Sequence, residues 1–246
     1  MPSLFLICDD AGFASVDRGI QTLAEQTKLP FCAEYLIEQP GAIERAKVMM
    51  NMPNVSIGLH FELSGISDAE RVQMTKDLKR KGTCLGEQKE MQQKAAEDAR
   101  RQLRFFRDQL GRNPAHISTH GNFNADINDK ILPWWMEMMN ELFEGDIPPM
   151  QLKAPHVRHN FYSWNCEGTK RSPCEPEEFG ERLSAFKDFP LTEFVLHPAL
   201  PKAGDAGLDM LFTAEMRRAD TEAALKIFKS GTIERVGFRA VSVISI

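Results

Sequence analysis

The apolar run Leu4-Phe5-Leu6-Ile7 leads straight into Cys8-Asp9-Asp10-Ala11-Gly12-Phe13. A short apolar run closed by polar and glycine residues reads as a strand buried on both faces. Two adjacent carboxylates at the end of such a strand are costly to bury unless a cation, a proton or a substrate needs them. In α/β folds that end is also where ligands gather. Asp9 and Asp10 are therefore read as a site, one carboxylate for a metal and one for proton transfer. Capping of the following helix is the plain alternative.

Outward from this strand, strand-like and helix-like stretches alternate. Strands are expected at 3–8, 31–37, 55–63, 115–119, 150–153, 193–197 and 235–246, and helices at 16–25, 41–50, 91–110, 127–143, 176–186 and 213–229. Such alternation indicates βαβ units and a parallel sheet. It predicts one barrel-like α/β domain over residues 1–246, with an open doubly wound sheet as the alternative. Two stretches break the rhythm, 64–89 with its Lys79-Arg80-Lys81 triplet and 154–176, and both read as insertions at the ligand-facing end. Ala95, Ala99, Leu103, Phe106 and Leu110 recur at helical spacing and belong to the core, as do Trp134 and Trp135.

Composition narrows the function. A net charge of -5 with pI near 5.8 gives no support to a nucleic-acid partner. No apolar run approaches the roughly 20 residues that span a bilayer, and the N-terminus lacks a signal-peptide pattern. Five cysteines, odd in number and without Cys-x-x-Cys, suit free thiols in a reducing compartment, so a cytoplasmic location is expected. Expected partners are a small molecule and a second copy in a homodimer, with no membrane.

Four polar features fall at expected strand ends: Asp9-Asp10, His60, His116/His120 and His197. Carboxylate and imidazole together make a ligand set for zinc or a similar divalent ion. On an ideal strand Asp9 and Asp10 point to opposite faces, so they share a site only if the chain has already turned. His116 and His120 would lie roughly 13 Å apart along a strand, too far to hold one ion, and His120 at the C-terminal end is the better ligand. Taken singly, each histidine reads as a core or strand-end residue. Together they point to a metal site. Glu62 shares the strand face of His60, and Glu34 interrupts the apolar run 31–37. Both read as rim residues or as further acids of the site. Arg158 with His156 and His159 could contact substrate, and Tyr162 and Trp164 could stack on a sugar.

The runs L-I-C-D-D-A-G-F ending at Phe13, I-G-L-H-F-E-L around His60, P-A-H-I-S-T-H-G-N at 114–122 and F-V-L-H-P-A at 194–199, with V-D-R-G-I from Val16, resemble the YdjC-like (ChbG-type) carbohydrate deacetylase family. The resemblance implies a seven-stranded TIM-like barrel that removes N-acetyl groups from amino sugars with a divalent metal, Mg2+ or Zn2+. It implies Asp10, His60 and His120 as metal ligands, Asp9 as general base and His197 as general acid, while Arg158, Glu62, Tyr162 and Trp164 are substrate candidates on the residue reading alone. Ala11 replaces the family's phenylalanine, Asp17 an asparagine, Ser118 an acid, and Asn122 and Asn124 two histidines, so the shell about the ligands is altered. A metal-dependent phosphoesterase or amidohydrolase, or a catalytically weakened sugar-binding homologue, are the alternatives.

Overall fold

A computed structural model of the chain describes residues 1–64, 89–121, 123–124, 130–151, 156–158, 175–205 and 214–242, with the side chains of 156–158, 214 and 216 outside it. The triplet Lys79-Arg80-Lys81, Asn122, His159, Tyr162, Trp164 and the side chains of His156 and Arg158 lie outside the described residues.

The strands are β1 (Ser3–Ala11), β2 (Phe31–Tyr35), β3 (Val55–Phe61), β4 (Ile117–Thr119), β5 (His156–Arg158), β6 (Leu191–Leu196) and β7 (Arg239–Val241). The helices are α1 (Ala14–Thr27), α2 (Ala42–Met49), α3 (Lys89–Leu110), α4 (Pro133–Leu142), α5 (Pro176–Ser184), α6 (Ala214–Lys229) and the one-turn α7 (Thr232–Arg235). All strands pair in parallel in the order β4-β3-β2-β1-β6-β5, with β7 against the first residues of β1. β1 is buried almost throughout because partners flank it on both edges and helices cover it.

This sheet corrects the expectation of a TIM-like barrel. Among the described residues no pairing joins the β4 edge to the β5 edge, so the sheet is a partial barrel. β4, β5 and β7 have only three residues each. Beyond β4 the chain returns through Pro148-Pro149, which lack the N–H groups a ladder requires. Where a fifth strand at 150–153 is expected, an isolated bridge joins Met150 to Ile117, and residues 152–153 lie outside the described residues. The expected last strand at 235–246 starts late, since Thr232–Arg235 turns as a helix and β7 begins only at Arg239; residues 243–246 lie outside the described residues. The helix expected at 127–143 starts only at Pro133, its first helical residue.

What positions the site is a bulge at the end of β1. Cys8 pairs with Ala33 but Ala11 with Tyr35, so three steps on β1 match two on β2. Asp10 takes φ 61, the left-handed region that aspartate tolerates better than most residues. The extra residue turns Asp9 and Asp10 toward one site and resolves the opposite-face problem of an ideal strand. Gly12 follows at φ 107, where an added Cβ would lie 2.9 Å from the Leu36 carbonyl oxygen, so only glycine fits.

A buried clamp holds the bulge. The Gly12 N–H donates to Asp17 Oδ1 at 3.0 Å, and Arg45 donates to Asp17 Oδ2 at 2.7 Å and to the Gly12 carbonyl. Asp17, where the resembled family has asparagine, is thus paired with an arginine from α2. Nor do Asp9 and Asp10 cap α1, whose N-cap is Phe13 with no side-chain cap bond. Arg45→Leu would leave the Asp17 carboxylate held by the Gly12 N–H but without its cation. We expect a loss of about 2–3 kcal/mol, toward the low end for such a pair because Arg45 is partly exposed. That corresponds to a drop in Tm of roughly 4–12 °C by calorimetry. An unchanged Tm would show that the clamp does not hold the turn.

The core lies between the sheet and its helices, with Trp135 buried and packed edge-on against Phe61 and Phe123. The apolar face of α3 is buried as its spacing requires, yet Asp98 and Gln102 share that burial. Both grip the end of β3. Gln102 accepts from the Glu62 N–H and donates to the Glu62 carbonyl, and Asp98 accepts from the Ser64 N–H and hydroxyl.

Candidate metal centre and active site

The C-terminal ends of β1, β3, β4 and β6 bring Asp9, Asp10, His60, His120 and His197 together. Asp10 Oδ1 lies 3.5 Å from His60 Nε2 and 4.0 Å from His120 Nε2. The two imidazole rings are 5.4 Å apart between centroids. Asp9 Oδ2 faces His197 Nε2 at 3.8 Å. His120 follows β4 on the turn at Gly121, and His197 directly follows β6.

His60 and His120 are each backed by a second group. His60 Nδ1 meets Ser118 Oγ at 2.5 Å and Glu34 Oε2 at 3.6 Å. His120 Nδ1 faces Glu62 Oε1 at 3.5 Å, and Gln39 donates to the other Glu62 oxygen at 3.4 Å. Glu62 is half-buried, while Glu34 is fully buried, so Glu34 is no rim residue. Asn124 is buried and accepts from the Thr119 hydroxyl, tying down the turn that carries His120.

Three residues here escaped sequence reasoning: Arg217, Thr221 and Glu193. Arg217, on the first turns of α6, is buried and donates to Asp10 Oδ2 at 2.8 Å. Helix α6 is docked under the loop after His197, where the Thr221 hydroxyl accepts from the Ala199 N–H and donates to the Ala199 carbonyl. Glu193 on β6 is buried against His116 Nε2 at 3.4 Å. His116 itself is fully buried, with Nδ1 hydrogen-bonded to Glu34. Glu34 and Glu193 did leave a signal, since an acid inside an apolar strand calls for a partner. For Arg217 no signal existed, because the neighbouring Arg218 is exposed and reads the same.

The electrostatics favour a cation. Burial alone would raise the Asp10 carboxyl, but Arg217, His60, His120 and His197 overcome it and hold it well below the usual carboxylate range. Burial works against a charged His60, yet Asp9, Asp10 and Glu34 raise it to about 10. The field that draws a proton there would draw a metal ion as well. Burial pushes the thiols of Cys8 and Cys32 well up, which removes both as nucleophiles.

The donor atoms fit a divalent ion. Asp10 Oδ1 is buried and accepts no hydrogen bond among the described residues, while its partner oxygen is taken by Arg217. Asp9, Glu34 and His60 offer ligand atoms that all lie within 4.8 Å of one another, a second donor set that shares His60. The Asp10 set is the better cradle. Glu34 is sealed and already engaged by His116, whereas His120 is partly exposed and leaves a path for water and substrate.

Solved structures share this fold at low sequence identity. The peptidoglycan deacetylase PdaC of Bacillus subtilis shares the fold at TM-score 0.53 and 13% identity over 99% of this chain and 88% of that one. The polysaccharide deacetylase Bc1974 of Bacillus cereus does so at 0.52 and 10%, over 100% and 95%. A proposed cellobiose-phosphate cleavage protein of Enterococcus faecalis matches at TM-score 0.65 and 16% identity, over 99% and 98%. The chain belongs to the YdjC-like protein family, whose model matches residues 3–235. No curated protein matches it in sequence. No helix among the described residues is long and apolar enough to cross a membrane.

Proposed function

We propose that this protein is a metal-dependent hydrolase that removes the N-acetyl group from a small acetylated saccharide. The observation that carries the reading is the buried Asp10 Oδ1, which accepts no hydrogen bond and faces His60 and His120, with the Asp9–His197 pair beside it. Asp10, His60 and His120 would hold a divalent ion, Mg2+ or Zn2+. Such an ion supplies Lewis acidity, polarising the amide carbonyl and making water a better nucleophile.

The protein's own groups do the rest. Asp9 takes a proton from the water whose oxygen attacks the carbonyl carbon. His197 gives a proton to the sugar nitrogen as the carbon–nitrogen bond breaks, so that a neutral amine departs and acetate remains. Arg217 holds Asp10, and Glu62 backs His120. Among the described residues the arginine at the centre, Arg217, is already bonded to Asp10, which leaves no guanidinium to clamp the charge of a phosphoester. The arrangement suits a neutral amide.

Metal content after saturating supply and desalting tests the reading. The wild type should carry Zn2+ or Mn2+ stoichiometrically, and Asp10→Ala and His120→Ala less than about a tenth as much. A wild type as poor in metal as its variants would end the metal-centre reading. Acetate release from N-acetylglucosamine oligosaccharides then separates a deacetylase from a sugar-binding homologue.

A further inference from the structure

We propose that Glu34 is a positioning residue that selects the tautomer of His60, an inference that rests on the metal-centre reading above. A histidine that binds an ion through Nε2 must carry its proton on Nδ1, and the group facing Nδ1 decides whether it does. Two groups face Nδ1 of His60. The Ser118 hydroxyl at 2.5 Å can donate as well as accept, so by itself it does not choose. Glu34 Oε2 at 3.6 Å belongs to a carboxylate, which can only accept. Asp10 Oδ1 faces Nε2 at 3.5 Å, so with an ion between Asp10 and His60 it is the Glu34 charge that would keep the remaining proton on Nδ1 and leave the Nε2 lone pair for the ion.

Glu34 cannot turn away. Its other oxygen is bonded to His116 Nδ1, and His116 Nε2 faces Glu193 Oε1 at 3.4 Å. With carboxylates at both nitrogens His116 can only donate from both, so it stands as a fixed cation between the two acids. The assembly fits because β3 has Gly58 beside Glu34. An added Cβ there would lie 2.9 Å from the His116 carbonyl oxygen and 3.1 Å from Glu34 Cγ. Glu34 Oε2 is buried, accepts no hydrogen bond among the described residues, and points at His60. A carboxylate buried in this way is not explained by packing.

Calorimetric titration of metal-free protein with Zn2+ tests the assignment. Glu34→Gln replaces an acceptor by a group that can also donate, and should weaken Zn2+ binding by about 10–100-fold. Ser118→Asp added to Glu34→Gln puts a carboxylate back at Nδ1 from the adjacent strand. Affinity should then return to within about threefold of wild type, while Tm stays as low as in Glu34→Gln because His116 still lacks its anionic partner at position 34. A merely structural role would not separate affinity from stability in this way. Glu34→Gln binding Zn2+ as tightly as wild type, or a double variant no tighter than the single one, overturns the proposal. Should Glu34→Gln not fold, Glu34→Asp, whose charge is retracted by a methylene, carries the same comparison. A wild type that binds no Zn2+ is a different result and refutes the metal centre itself.

Discussion

Asp9→Asn should lower the rate of acetate release by about 10²–10⁴-fold, the usual contribution of a positioned base, without changing metal content. The side chains are isosteric, and the bulge that orients residue 9 is built by Asp10, Gly12 and the Arg45–Asp17 clamp, none of which the change touches. What disappears is the ability to accept a proton. Because Asp9 Oδ2 lies 3.8 Å from His197 Nε2, His197→Gln should be damaging too, most of all with substrates whose amine is a poor leaving group. Rate and metal content together separate the two donor sets that share His60. If Asp9→Asn loses metal along with activity, then Asp9 is a ligand and the set with Glu34 and His60 is the one occupied. If activity stays within about tenfold, Asp9 is not the base.

The parts of the centre legible in the sequence were those whose chemistry conflicts with their position along the chain. Two aspartates at the end of a buried strand, and histidines at three later strand ends, have a cost that only convergence repays. Glu34 carried the same signal inside Phe31–Tyr35, although its depth did not show. Of the bulge only the need for a turn near Gly12 showed, since periodicity describes regular strands and the extra residue appears only in the pairing of β1 with β2. Barrel closure was misjudged for a related reason. Counting strands says how many could surround a core, but closure depends on ladders between the first and last of them, which the short β4 and β5 do not form among the described residues. Arg217 shows the limit most sharply. It lies 207 positions from Asp10, and only the docking of α6 beneath Ala199 turns an ordinary helical arginine into the counter-ion of a buried aspartate.

Arg217→Met should therefore cost more stability than a surface charge would, about 3–5 kcal/mol in metal-free protein. In Tm this is a fall of roughly 6–20 °C. Arg217 and Asp10 are both nearly inaccessible, so solvent cannot replace the lost guanidinium. Asp10 would face Asp9 and Glu34 across the same pocket, with burial raising its carboxyl and one of the groups that lowered it gone. The sign with metal present is more informative. An ion bound only by the folded state stabilises it by about 2.7 kcal/mol at a hundred times Kd. In the wild type that ion enters beside a fixed positive charge, whereas in Arg217→Met it enters a more anionic pocket and takes over the missing counter-charge. The stability gap between the two proteins should accordingly narrow on adding saturating Zn2+, and Arg217→Lys, which keeps the charge but loses the fork, should fall between them. A gap that widens would mean that Arg217 chiefly holds the Asp10 carboxylate in place for the ion. In that case orientation, not charge balance, is what α6 contributes to the centre.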